Sequence, residues 1–320
     1  MAEAKMVVCL GELLIDFFCT DIDVDLKRGE RFVKKAGGAP ANVSAAITRL
    51  GGRAAFAGKV GADPFGIFLK QTLEREKVDT SMLLMDTDYS TTLAFVSLEA
   101  SGERDFVFNR GADLHVRFEE LDLTYIRQSS ILHFGSATAM LADPFRHTYF
   151  EVMKVVRSEG KLISFDPNYR KDLWHGREEE FITLSRFGIE SAFLVKVSEE
   201  ELRLITGIFD KDQALDILHQ MGATLIAVTL GKDGTYISNG TTRLLVPSIP
   251  VQSIDSTGAG DAFVGALLFK ISGLEQPMDI AGDNRIFEEF TAFANKVGAL
   301  VCTKIGAIDS LPVLEEVENV

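Results

Sequence analysis

Short apolar runs punctuate the chain and alternate with longer stretches whose apolar residues recur at helical spacing. MVVCL from Met6, AAFAGKV from Ala54, ILHFG from Ile131, LISF from Leu162, AFLV from Ala192 and TLIAVTL from Thr224 read as strands. Strands apolar on both faces and separated by helices predict an α/β fold with a mostly parallel sheet covered on both sides. Asp63 ahead of Pro64, and Asp143 ahead of Pro144 and FRHTYFEVMKVV, mark helix starts with proline at the first helical position. The apolar stretch from Met6 to Phe18 carries Glu12 and Asp16, so it reads as a first core strand with Asp16 at its end, not as a signal peptide or membrane span.

Two segments break the alternation, residues 17–35 and 90–112. In the second, TTLAFVSLEA and ERDFVFN flank a Ser101-Gly102 turn. Both segments predict extra antiparallel strands, suited to a flap over a site or to a homodimer surface. With no repeat, low-complexity tract or flexible linker, residues 1–320 are expected to form a single domain.

Composition narrows the classes. Of the 320 residues 46% are hydrophobic and 25% charged, enough apolar material for a large core. A net charge of −14 argues against nucleic acid or an anionic membrane as partner, and means that an anionic substrate needs a local site. Cys9, Cys19 and Cys302 are widely spaced, and the apolar runs around Cys9 and Cys302 read as core; free thiols in a cytoplasmic setting are expected. His115, His133, His147, His175 and His219 lack metal-ligand spacing, so no zinc site is expected.

The chemistry concentrates in two glycine-rich stretches. Asp255-Ser256-Thr257-Gly258-Ala259-Gly260-Asp261 runs into the apolar helix AFVGALLFKI. Gly258, Ala259 and Gly260 leave backbone amides uncovered where the helix begins, which suits an anion hole for phosphate. Asp261, in the first turn, would be held ionised by the helix dipole and could take the proton of a hydroxyl beside the phosphate. A P-loop is absent, and a dinucleotide fingerprint would need a glycine at position 263, which is Phe263.

The other stretch, Gly37-Gly38-Ala39-Pro40-Ala41-Asn42-Val43-Ser44, lets a sugar approach the main chain, and Asn42 can donate and accept toward a diol. Asp16 could accept from two hydroxyls. The plain alternatives are a helix-opening turn, a capping amide and a strand-end acid.

Together the two stretches resemble the signatures of the ribokinase-like (PfkB) carbohydrate kinase family, through Gly37, Asn42, Ser44, Gly51 and Gly61, then Asp255, Gly258, Gly260, Asp261 and Gly265. GELLIDF, LVKVSEEEL, VTLGKDG and TKIGAIDSLP extend the likeness over the whole chain. The resemblance implies a three-layer α/β/α sandwich whose small β lid comes from the two odd segments, and a requirement for ATP and Mg²⁺. It implies Asp261 as base, Gly258 to Gly260 as anion hole, and Asp16, Gly37, Gly38 and Asn42 as the sugar grip. Thr229, Gly231 and Gly234 fall where relatives hold the nucleotide, and Asn295 lies in the helix bordering the adenine; a hairpin turn and an exposed helix amide are the plain readings.

Many relatives carry Asn, two residues, then Glu before the nucleotide site. Here Ser198 takes the Asn position and Glu201 keeps the one linked to metal and its water, while an N-cap serine with acidic first-turn residues is the simpler reading. Asp255, Thr257 and Ser310 stand where relatives bind potassium.

Arg170, in Asp166-Pro167-Asn168-Tyr169-Arg170 after LISF, is placed to reach the transferring phosphate. That run, the nearby Leu173-Trp174 pair and GELLIDF resemble the fructokinase branch, which implies fructose as acceptor and fructose 6-phosphate as product. 2-Keto-3-deoxygluconate kinases share much of the pattern. They need a cation for the substrate carboxylate, which Arg110 or Arg104 could supply. Phe106 and Phe108, on one face of a lid strand, would close over the sugar or simply pack. A non-catalytic sugar or nucleotide binder on this fold would have lost the base; a dinucleotide-dependent oxidoreductase would rest on the imperfect glycine fingerprint alone.

Overall fold

Thirteen strands among the described residues fall into two sheets, and the larger one brings the ends of seven parallel strands to a common edge. The structure is a computed structural model and describes residues 4–98 and 104–320. The strands are β1 (Met6–Leu10), β2 (Leu14–Cys19), β3 (Phe32–Gly37), β4 (Arg53–Gly61), β5 (Leu83–Asp86), β6 (Leu93–Leu98), β7 (Arg104–Asn109), β8 (Ile131–Phe134), β9 (Leu162–Phe165), β10 (Leu194–Ser198), β11 (Leu225–Thr229), β12 (Thr235–Ser238) and β13 (Arg243–Val246). The helices are α1 (Ala39–Arg49), α2 (Pro64–Arg75), α3 (Leu123–Gln128), α4 (Phe145–Ser158), α5 (Lys171–Trp174), α6 (Glu178–Ser191), α7 (Glu199–Thr206), α8 (Lys211–Met221), α9 (Ala259–Ser272), α10 (Asn284–Val301) and α11 (Leu314–Glu318).

The large sheet runs β13-β12-β11-β10-β9-β8-β1-β4-β5, parallel except at β12 and β13. Alternate residues of a strand face opposite sides. Val7 and Cys9 accordingly join the core beneath α1, α9 and α10, while Val8 and Leu10 join the one beneath α4 and α6. Helix α9 is buried on nearly all sides between α1 and α10, which fixes its N-terminus against the sheet edge.

The order reverses at β1, whose neighbours are β4 and β8, and ligands of open α/β sheets bind beyond the strand ends at such a switch point. Here Glu12, just after β1, accepts from the Ala39 amide at the start of α1 (3.0 Å) and from the Ser136 hydroxyl beyond β8.

The small sheet has the order β3-β2-β6-β7. It is the predicted lid with wider bounds, beginning at Leu14 and reaching Gly37. One pairing corrects the expectation: β2 and β6 are parallel, and only the outer pairs are antiparallel. The Ser101-Gly102 turn and the side chain of Arg104 lie outside the described residues.

Asp16 is also displaced from its expected place. The run from Met6 to Phe18 is two strands in different sheets, with Asp16 in the lid strand β2 rather than at the end of β1. Asp63 caps α2 as expected, accepting from the Phe65 and Gly66 amides (both 2.9 Å). The next expected start shifts by one residue, because Pro144 is itself the N-cap of α4 and Asp143 accepts from the His147 amide. Cys9 is buried, whereas Cys302, just past α10, is only half-buried.

Candidate active site

The two glycine-rich stretches meet. Asn42 Nδ2 on α1 donates to Asp261 Oδ2 on α9 at 2.8 Å, both side chains being buried. The oxygen of the same Asn42 amide, Oδ1, is buried without a partner, and a buried acceptor left unpaired is costly. A ligand hydroxyl beside Asp261 would satisfy it.

Gly258 is the N-cap of α9 and adopts φ 78°, a backbone that residues with a Cβ rarely take. Asp261 follows in the first turn, where amides lack intrahelical partners. The Ala259 amide closes a turn onto the Ser256 carbonyl (3.2 Å), so Gly258 and Gly260 are left as the better donors of the expected hole. Burial pushes the Asp261 carboxyl up to about 6, against the lowering pull of Arg170, Asn42 and Lys196. The expectation that the helix dipole dominates is therefore corrected, although the group is still mainly ionised at neutral pH.

The side expected to hold the sugar is built by the lid. Register sets Asp16, Ala94 and Phe108 abreast, and Phe106 shares their face two residues along β7, its ring stacked on Phe108 at 6.0 Å. The opposite face packs Phe17 and Phe95 toward Phe65 of α2. Gly37, paired with Leu14, lies so close to the Asp16 side chain that a Cβ there would be 2.0 Å from Asp16 Oδ2, and Gly38, at φ 111°, caps α1. Burial and the nearby Glu12 carboxyl push Asp16 up to about 7, while the exposed Arg170 guanidinium facing it pulls the other way. Arg170 thus acts electrostatically on both carboxylates.

Ser198 and Thr229 stand side by side at the ends of β10 and β11, with Gly231 and Gly234 bounding the short 3-10 turn into β12. Ser198 and Glu201 form a capping box. The serine Oγ accepts from the Glu201 amide (3.1 Å), and Glu201 Oε2 accepts from the Ser198 amide (2.6 Å) while Oε1 accepts from the Tyr169 amide (2.7 Å). The simpler reading of this pair is therefore realised. Asp255 accepts from the Thr257 amide (2.9 Å) and hydroxyl (2.6 Å) and from the Gly306 amide (3.0 Å), while Ser310 donates to the Gly306 and Ala307 carbonyls. The Gly306 amide bonded to Asp255 ties this cluster to the loop ahead of α9.

A family description, pfkB family carbohydrate kinase, matches residues 4–314. The chain belongs to this family. Fructokinase-1 of Oryza sativa subsp. japonica is 43% identical over 318 residues, covering 98% of this chain and 97% of that one. A fructokinase from Xylella fastidiosa with bound ATP superposes with a TM-score of 0.90 at 34% identity, covering 99% and 98% of the two chains. A double-mutant fructokinase from Vibrio cholerae O395, in a fructose, ADP and potassium ion bound form, gives a TM-score of 0.86 at 30% identity, covering 100% and 99%.

Two expected site residues of this pfkB-family chain are spent elsewhere. Asn295 is buried; it accepts from the Thr235 hydroxyl (2.6 Å) and donates to the Val246 carbonyl (2.9 Å), so its amide ties α10 to β12 and β13 and is neither exposed nor open to a base. Arg110 pairs with the fully buried Asp113 (3.2 Å) and donates to the Thr138 carbonyl (2.8 Å). Sequence reasoning also missed three buried charges: Glu12 and Asp166 just past the ends of β1 and β9, and Lys196 in the middle of β10. The signal was present, since a charge inside an apolar run of a sheet covered on both sides must find a partner.

Replacing Asp16 with alanine is expected to raise the sugar KM about 10- to 100-fold, the loss of one or two hydrogen bonds to a charged acceptor, with a much smaller change in the ATP KM. Varying each substrate in turn checks this; equal effects on both would remove Asp16 from the sugar grip.

Proposed function

We propose that the chain is an ATP-dependent fructokinase that converts fructose to fructose 6-phosphate. The observation that carries the reading is the Asn42–Asp261 contact, which joins a polar pocket under the lid to a helix N-terminus suited to phosphate. In this reading Asp16 and the free Asn42 Oδ1 hold the sugar hydroxyls, and Gly37 and Gly38 leave room for them beside the main chain. Asp261 takes the proton of the sugar 6-hydroxyl as its oxygen bonds to the γ-phosphorus and the bond to the departing ADP oxygen breaks. The Gly258 and Gly260 amides and Arg170 face the charge on the phosphoryl oxygens. Ser198, Thr229, Gly231 and Gly234 border the nucleotide, and Glu201 would help to hold its metal or that metal's water. Mg²⁺, when bound, would neutralise phosphate charge, and potassium beside Asp255, Thr257 and Ser310 would support the loop ahead of α9.

Arg110 separates fructose from a sugar acid. Its charge is already matched by Asp113, so a substrate carboxylate would have to displace a buried ion pair. Phe106 and Phe108 present uncharged faces on the same side of the lid as Asp16.

ADP release over fructose, ribose and 2-keto-3-deoxygluconate, with and without potassium, tests the assignment. Fructose is expected to give the highest kcat/KM; a higher value for the keto acid would overturn the choice of sugar, and no sugar-dependent ADP release would overturn the activity.

A further inference from the structure

Beneath the anion hole lies a buried charge pair that the reaction as described leaves unused. Lys196, in the middle of β10, is 8% exposed, and its ammonium lies 2.9 Å from Asp166 Oδ2 at the end of the adjacent strand β9. A Cβ on Gly260 would sit 3.4 Å from Lys196 Nζ, closer than any other atom beyond the glycine's own chain neighbourhood. The cation is therefore directly under the Gly260 backbone. Asp166 has a second task, because its Oδ1 accepts from the Asn168 amide (3.0 Å) while Asn168, at φ 51°, donates Nδ2 to the Gly135 carbonyl (2.7 Å). Those bonds fix the turn that carries Arg170.

We propose that the Lys196–Asp166 pair is a positioning device for phosphoryl transfer, in which Lys196 sets positive charge under the Gly258–Gly260 hole and beside Asp261 while Asp166 holds that cation and the Arg170 turn in place. The proposal rests on Asp261 being the base. The charged groups that act on Asp261 are Arg170 and Lys196, which favour its ionised form, and Asp166, which opposes it; Asn42 is its neutral donor. Arg170 is shared with Asp16, which also feels Glu12. Lys196 itself stays protonated, held by Asp166, Glu201 and Asp261, and neighbouring His133 stays neutral, pushed down to about 3 by burial and by Lys196.

Because Lys196 and Asp166 act on Asp261 with opposite signs, their removal has opposite effects on the pH dependence of kcat. Lys196→Met deletes the cation at similar volume and is expected to lower kcat 10- to 100-fold and move the acid limb up by about one pH unit. Asp166→Asn keeps an acceptor for the Asn168 amide and is expected to move the limb down by about the same amount. The double variant should return the limb close to its starting position, and Lys196→Arg should restore most of it. Thermal unfolding of each variant reports folding, and if Lys196→Met does not fold, the Asp166→Asn limb decides alone. Limbs that stay put, or move the same way, while kcat falls would reduce the pair to architecture and overturn the proposal. Near-normal turnover in Asp261→Asn would instead remove the base assignment, so the two failures are distinguishable.

Discussion

Asp261→Asn should lower kcat by about 10²–10⁴, leave ATP binding intact, and make the protein more stable at pH 8 than it was before. The first effect is the usual cost of losing a general base. The second follows because the Gly258 and Gly260 amides are main-chain donors that the substitution does not touch. The third comes from linkage. The carboxyl sits at about 6 in the fold against 3.8 as its ordinary value, so above pH 6 the ionised side chain favours the unfolded chain. Below about pH 4 the group is protonated in both states and the penalty vanishes. A shift of about two units corresponds to roughly 3 kcal/mol, an upper figure for the gain. Thermal unfolding of both proteins from pH 4 to 8 reads it directly. A gap that closes as pH falls is expected; a less stable variant at pH 8 would show that the carboxylate is not under strain. In the parent enzyme kcat should rise with pH through about 6 and then level.

Gly258→Ala should cost about 10²–10³ in kcat, comparable to removing an oxyanion donor, with a smaller change in either KM. A Cβ at this position would lie 2.7 Å from Ala307 Cβ and 2.9 Å from Ala307 Cα, and the backbone is already at φ 78°. Relief requires either the Ala307 loop or the start of α9 to move. Either movement would misaim the amides proposed to face the phosphate, and the first also disturbs the Ser310 hydroxyl, which donates to the carbonyls of Gly306 and Ala307. Single-turnover measurements at saturating sugar and ATP separate this loss from weaker binding. A variant with unchanged turnover would show that the hole tolerates displacement.

The parallel sheet was legible because its strands are apolar on both faces, and both glycine-rich stretches were legible because their spacing encodes a helix start. Partners were harder. Alternation in TTLAFVSLEA reveals a strand but not that it lies parallel to β2, since that pairing joins segments far apart in the chain. Asp16 was misplaced because the apolar residues of β1 and β2 read continuously, and the break between them is marked only by Gly11 and Glu12, where a Cβ on Gly11 would strike Pro40. Lys196 was not singled out within LVKVSEEEL. The acid that explains it follows LISF, on the neighbouring strand. Asn295 shows the reverse error, a polar residue given a ligand by resemblance although three neighbours already occupy its amide.

Strand β3 ends at Gly37, and a single residue separates it from α1, whose Asn42 touches Asp261. The small sheet and the proton acceptor are thus mechanically linked by a very short length of chain. If Asp16 holds the sugar as proposed, a bound sugar would engage both ends of that linkage, whereas a water molecule has too few groups to do so. On the proposed reading, ATP hydrolysis in the absence of sugar is expected to be far slower than phosphoryl transfer, and ADP release measured without sugar checks it.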